Sequence, residues 1–100
     1  MGLIMKKLEL VIDAGSLPKI KEIINSTGVK GFTVLNIIEG KGEKEGYVKA
    51  VPELNSFEQY YVFVICSKEE SDQLVATLTP YVSSVGGVIF TTTLDSCFIK

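Results

Sequence analysis

The side chains of this chain that can do chemistry are concentrated in one stretch. Over 39–56 the sequence sets Gly40, Gly42, Gly46 and Pro52 among Lys41, Glu43, Lys44, Glu45, Lys49 and Glu53, with no hydrophobic period. Lysines and glutamates in that density make ionic and hydrogen-bonded contacts, which suits binding. Nucleophilic catalysis would need other groups. The 100 residues include no His, no Arg and no Trp, so all ten basic side chains are lysines. Without His there is no Ser-His-Asp or Cys-His system, no imidazole metal ligand and no side chain that titrates near neutrality in the ordinary way. Nucleic acid is disfavoured too, because a net charge of −2 without Arg offers no basic stripe for phosphates and no bidentate contact to guanine. The two cysteines, Cys66 and Cys97, lack C-x-x-C spacing and are too few for a zinc site or a disulfide framework. They read as small packed residues near strand ends in a reducing, cytoplasmic setting.

The elements that must position the 39–56 stretch follow from composition and period. With 46% hydrophobic and 22% charged residues, the chain reads as one domain over 1–100. At this length a monomer buries only about two thirds of its unfolded surface. A mean hydropathy of +0.30 therefore predicts further burial by self-association. The N-terminal order, an apolar Met1-Gly2-Leu3-Ile4-Met5 before Lys6-Lys7, is the reverse of a signal peptide, and Lys6 replaces the Ser or Thr of a myristoylation site. The longest apolar run, 60–66, is too short to span a bilayer, so no membrane insertion is expected.

Alternation over 7–13 puts Leu8, Leu10 and Ile12 on one face of a first strand. Ser16 offers an N-cap before Leu17-Pro18, and Leu17, Ile20, Ile23 and Ile24 recur at helical spacing up to Gly28. The β-branched run 31–38 predicts a second strand, and 39–56 a long loop. The nearly unbroken apolar run 59–66 predicts a strand covered on both faces. Ser67-Lys68-Glu69-Glu70 has the form of a capping box, and the helix it starts is expected to end near Thr79 or kink there, at Pro80. A last strand over 86–93 completes the order β-α-β-β-α-β, with a tail over 94–100.

Gly31 and Gly87, 56 positions apart, each sit where a helix hands over to a strand, so the chain reads as two βαβ halves. The expected fold is α+β: a ferredoxin-like βαββαβ sandwich with both helices on one face of a four-stranded antiparallel sheet. Val11, Tyr60 or Tyr61, and alternate members of 62–65 then occupy the other face, which favours face-to-face assembly. This fold serves unrelated activities, so residues must decide among them. Acylphosphatases need an arginine that is absent. RNA-recognition motifs need a basic residue and a glycine where Gln59 and Tyr60 stand, and metal chaperones need a C-x-x-C. An amino-acid-binding ACT-like module, which needs only a glycine after the first helix and an exposed interface, stays open.

An ordered set of segments adds a resemblance. Met5-Lys6-Lys7-Leu8-Glu9-Leu10-Val11-Ile12, Gly28-Val29-Lys30-Gly31-Phe32-Thr33-Val34, Gly40-Lys41-Gly42-Glu43-Lys44-Glu45-Gly46 and Gly87-Val88-Ile89-Phe90 resemble, in order, four segments of the nitrogen-regulatory PII signalling proteins. These are the basic pair before the first strand, the helix-to-strand link, the G-x-G-x-x-x-G that opens the long T-loop, and the start of the last strand. The resemblance implies a non-enzymatic homotrimer with an effector, an adenine nucleotide, in clefts between subunits. It also implies a T-loop-like connection, here 40–58, that docks on a partner such as a membrane transporter or a regulated enzyme. By the same resemblance Thr33 faces the adenine and the amides of Gly40 and Gly42 meet phosphates; glycines can turn amides toward an anion with little side-chain help. Gly31, Lys41, Lys44 and Gly87 complete the implied cleft, and Glu43, Glu45, Tyr47 and Lys49 its partner-contact surface.

The chain departs from the family pattern in ways that matter. Val88 stands where a phosphate-holding lysine is usual, and the arginines of the C-terminal region are replaced by Cys97-Phe98-Ile99-Lys100. Each lost charge-assisted contact is worth about 1.5–3 kcal/mol. Lys41 or Lys44 can replace one of them. One extra residue between Thr33 and Gly40 suggests a bulge at the strand end. No tyrosine matches the family's modification position, since Tyr47 directly follows Gly46. The pattern is that of a divergent PII-like protein, with a trimeric scaffold lacking a small ligand as a further alternative.

Overall fold

Strand β1 (Met5–Asp13) alternates as its sequence requires: Leu8, Leu10 and Ile12 are buried, while Lys7, Glu9 and Val11 point to the other side. It opens two residues before the expected start. In this computed structural model, which describes residues 4–42, 46–49 and 58–96, the chain leaves β1 through a 3-10 turn (Ala14–Ser16) into α1 (Leu17–Ser26). Ser16 precedes the α-helix but caps nothing with its side chain. The capping oxygen belongs to Asp13, whose Oδ1 accepts from the Ser16 N–H at 3.1 Å, one turn earlier than the sequence suggested. Gly28 then turns the chain at φ +81°, a conformation that disfavours side chains.

Strands β2 (Thr33–Ile37) and β5 (Gln59–Ser67) pair antiparallel with Thr33 opposite Phe63 and Leu35 opposite Tyr61. The 39–56 stretch, expected to be a loop, contains a hairpin of β3 (Glu39–Gly42) and β4 (Gly46–Lys49). Backbone pairing, which needs no hydrophobic alternation, is why periodicity missed it. Ile38, 71% exposed, separates β2 from β3 at the place where an extra residue was noted.

Helix α2 (Lys68–Val85) starts at the Ser67 capping box and does not stop at Thr79; it runs through Pro80 to Gly86, which caps it at φ +82°. Pro80 lies on the exposed side, while Leu74, Leu78 and Val82 are buried on the inner side. Burial of the last turn by Val82 and Tyr81 offsets the missing backbone hydrogen bond. Strand β6 (Val88–Thr93) completes a sheet of order β2-β5-β1-β6, antiparallel throughout. Ile20 and Ile24 of α1 join the α2 residues over Leu8, Leu10, Ile12, Val62, Val64 and Cys66 in one core. Both helices thus cover one face, as the α+β sandwich reading requires.

The uncovered face carries Leu35, Val88 and Phe90, each 46–53% exposed, beside Val11, Tyr61, Phe63 and Ile65. The choice left open between Tyr60 and Tyr61 falls to Tyr61; Tyr60 packs against the core. A polar group crosses the middle of this face. The Tyr61 hydroxyl donates to Glu9 Oε1 at 2.5 Å, and Lys7 Nζ lies 3.6 Å from the same oxygen and 4.9 Å from the Phe63 ring centre.

Candidate functional site

A hollow of about 560 Å³ opens at one end of the sheet, where the link from α1 enters β2 and β5 gives way to α2. The link is shaped by its side chains. Val29 and Phe32 are half-buried against the core and anchor it, which leaves Lys30 and Gly31 exposed between them. The Thr33–Phe63 register then sets Thr33 beside β5. Gly31 and Thr33, both named from sequence, line the hollow together, and Met5, Phe63 and Ile65 give it apolar walls.

Four polar side chains also line it that were not named as site residues: Lys30, Cys66, Ser67 and Glu70. Ser67 and Glu70 are locked by the capping box. Ser67 Oγ accepts from the Glu70 N–H at 3.2 Å, and Glu70 Oε1 accepts from the Ser67 N–H at 3.0 Å. The Ser-x-x-Glu signal was legible as a helix start. That the same pair borders a hollow depends on β2 lying alongside, which no local pattern states. Cys66 is 3% exposed, and burial, followed by the charge of Glu70, pushes its thiol up from its usual range. It is a packed residue near a strand end, as its sequence context suggested. Cys97 lies outside the described residues.

The other named residues lie elsewhere. Gly40, Lys41 and Gly42 form β3, with Val48, Tyr47 and Gly46 opposite them on β4, and Lys49 pairs with Glu39. Glu43, Lys44 and Glu45 lie outside the described residues. Gly87 precedes β6, at the sheet edge opposite β2. A Cβ there would lie 2.9 Å from the Val11 carbonyl oxygen and 3.2 Å from both Ile12 Cγ2 and Val82 Cγ1, so close packing of α2 on β1 already requires a glycine. At Gly31, by contrast, a Cβ meets nothing within 4 Å of the protomer. Two strands separate these edges, a distance of about 14 Å at ordinary strand spacing. One protomer therefore brings Gly31 and Thr33 together but leaves Gly87 apart from them.

Among the described residues no three His, Cys, Asp or Glu side chains come together as metal ligands, and no helix is long and apolar enough to cross a membrane. The arrangement can hold a small molecule with an apolar face and hydrogen-bonding edges, using Thr33 and Ser67 hydroxyls, the Lys30 ammonium and the Glu70 carboxylate.

A search of curated protein sequences gave no match. Among solved structures, the chain is similar to CPII, a nitrogen regulatory PII-like protein from Thiomonas intermedia K12, bound to ADP, AMP and bicarbonate. The identity is 21%, the match covers 91% of this chain and 90% of that one, and the TM-score is 0.73. The apo form of the same protein is 19% identical over 91% of this chain and 89% of that chain, with a TM-score of 0.70. The B. subtilis GlnK-ATP complex is 26% identical over 94% and 84% of the two chains, with a TM-score of 0.67. The sequence profile described as Nitrogen regulatory protein P-II matches residues 5–99, from the first residue of β1 through both βαβ halves and the hairpin between them. With the order of elements and the helix-to-strand link at Gly31 and Thr33 both accounted for, the chain is a divergent PII-like member of the nitrogen regulatory protein P-II family of signalling regulators.

Proposed function

We propose that the protein is a non-enzymatic cytoplasmic regulator that assembles as a homotrimer, takes an adenine nucleotide in clefts between subunits, and signals through the 40–58 connection to a membrane transporter or an enzyme. The observation that carries this reading is the separation of Gly31 and Thr33 from Gly87 by the width of the sheet. In this reading one protomer supplies one wall of the cleft and a second copy supplies the other. The uncovered apolar face with Leu35, Val88 and Phe90 supports such assembly, because burying it removes apolar area from water at about 25 cal/mol per Å². CPII bound to ADP and AMP, and GlnK bound to ATP, supply the class of effector.

In this reading the base lies against Thr33 and the phosphates meet the Gly40 and Gly42 amides, with Lys41 or Lys44 making up for the lysine that Val88 replaces. The nucleotide acts by preferring one arrangement of the connection. That preference shifts the population of partner-competent molecules, with Glu43, Glu45, Tyr47 and Lys49 at the contact surface.

The test is thermal unfolding of the protein at measured oligomer mass against ATP, ADP, AMP and cyclic AMP. A nucleotide present at 100 times its dissociation constant adds about 2.7 kcal/mol per site. Thr33→Ala and Gly42→Pro should abolish the shift while leaving a trimer. An intact trimer whose melting ignores every adenine nucleotide would refute the cleft.

A further inference from the structure

The polar groups that line the hollow differ in what they offer a ligand. The hydroxyls of Thr33 and Ser67 both donate and accept, and the Lys30 ammonium only donates. Among the described residues the Glu70 carboxylate is the lining side chain that accepts without donating. Its position is not free to wander, since Oε1 is tied to the Ser67 N–H at 3.0 Å and its own N–H to Ser67 Oγ at 3.2 Å. That bond occupies one of about four acceptor positions on the carboxylate, and the rest are available to a ligand.

A fixed acceptor beside apolar walls distinguishes planar rings by their edges. An exocyclic amine presents two donors to it. A carbonyl oxygen at the same ring position presents only lone pairs, and the carboxylate repels it. The N1–H that accompanies this oxygen in 6-oxo purines lies one ring position away, out of line with an acceptor held on the C6 substituent. A site built to hydrogen-bond one edge rejects the mismatched edge strongly, because its own polar group is left unpaired. Adenine carries an amine at C6, whereas hypoxanthine and guanine carry an oxygen there.

We propose that Glu70 is a specificity-determining residue that selects a 6-amino purine by accepting a hydrogen bond from the exocyclic amine. This inference rests on the reading that the base of a nucleotide occupies the hollow beside Thr33. The acceptor acts on the base alone, so it alters the choice between purines and leaves the requirement for phosphates unchanged.

The experiment compares ATP with ITP, which differ in the C6 substituent and in the proton on N1, by calorimetric titration of the full chain. The wild-type protein should bind ATP at least about tenfold more tightly than ITP, a difference of about 1.4 kcal/mol. Glu70→Gln keeps the capping box, in which its oxygen accepts from the Ser67 N–H, and so turns its amide N–H groups, which donate, toward the ligand. The ATP-to-ITP ratio should therefore collapse to one or below. Glu70→Met, which offers neither, should collapse it as well and covers the case in which Glu70→Gln fails to fold. Asp72→Asn removes the same charge from an exposed position of the same helix and should keep the wild-type ratio. A variant ratio within about twofold of wild type overturns the role of Glu70 while leaving the adenine reading intact. A folded wild-type protein that binds neither nucleotide, or prefers ITP, overturns both.

Discussion

Two glycines that look alike in sequence should respond to alanine in opposite ways. Gly31 and Gly87 both join a helix to a strand, and both belong to the proposed cleft. At Gly87 the new Cβ would stand 2.9 Å from the Val11 carbonyl oxygen. That oxygen belongs to β1, which is paired on one side with β5 and on the other with β6, so it cannot retreat without disturbing a ladder. Overpacking of this kind costs about 1–3 kcal/mol, and the reduced freedom of the unfolded chain returns about 0.4–1 kcal/mol. A net loss of about 1–2 kcal/mol lowers the melting temperature of a domain this size by roughly 5–15 °C. At Gly31 the Cβ meets no atom of the protomer and the backbone is not left-handed, so only the unfolded-state gain of about 0.4–1 kcal/mol remains. The assay is calorimetric melting without nucleotide, at one protein concentration and with the oligomer mass checked, because association adds its own stability. A Gly87→Ala protein that melts within about 2 °C of wild type, or a Gly31→Ala protein that loses more than Gly87→Ala, would refute the assignment of Gly87 to packing.

Two further outcomes follow from the same structure. Burial and then the bond to Glu9 hold the Tyr61 phenol above its usual value, and burial and then Glu70 raise the Cys66 thiol, so both resist ionisation when folded. Groups with raised folded values stabilise fully below their unfolded values and lose that contribution as pH rises through the folded ones. Melting temperature should therefore fall from about pH 8.5 upward, first through Cys66 and then through Tyr61. Cys66→Ala should remove the earlier part of the fall and Tyr61→Phe the later part; an unchanged alkaline profile in both variants would contradict this. Separately, Ser67→Ala deletes the oxygen that accepts from the Glu70 N–H and should cost about 1 kcal/mol in denaturant melts, whereas Ser26→Ala, outside any N-terminal cap, should cost less.

Local chemistry made much of the fold legible. Alternation placed Leu8, Leu10 and Ile12 inside, the capping box located the start of α2, and the two helix-to-strand links arranged the elements as two βαβ halves. Each of these signals is complete within a few residues. The errors arose where residue type and period were not the deciding determinants. Pro80 ends a helix by local rules, yet α2 continues because Tyr81 and Val82, directly after it, pack on the core. The 39–56 stretch has no period, yet residues 39–42 and 46–49 within it pair as a hairpin through backbone groups that any residue supplies. Ser16 has the right type for a cap, but Asp13 reaches the turn first.

The site divides in the same way. Gly31 and Thr33 were identifiable from the segment that contains them, because one short link carries both. Glu70 and Ser67 were not, because they lie far along the chain from Thr33 and no periodicity records which side chains share a hollow once β5 pairs with β2. Lys30 sits in the link itself, and its exposed lysine carries no local signal that sets it apart. The separation of Gly87 from Gly31 likewise follows from strand order, which is set by the competition among all pairings. Residue type and period are properties of neighbours along the chain and determine each element with its buried face. Adjacency across the sheet is a property of the whole packing, and it decides which of those faces meet, which carboxylate borders the hollow, and how much of the cleft a single protomer can build.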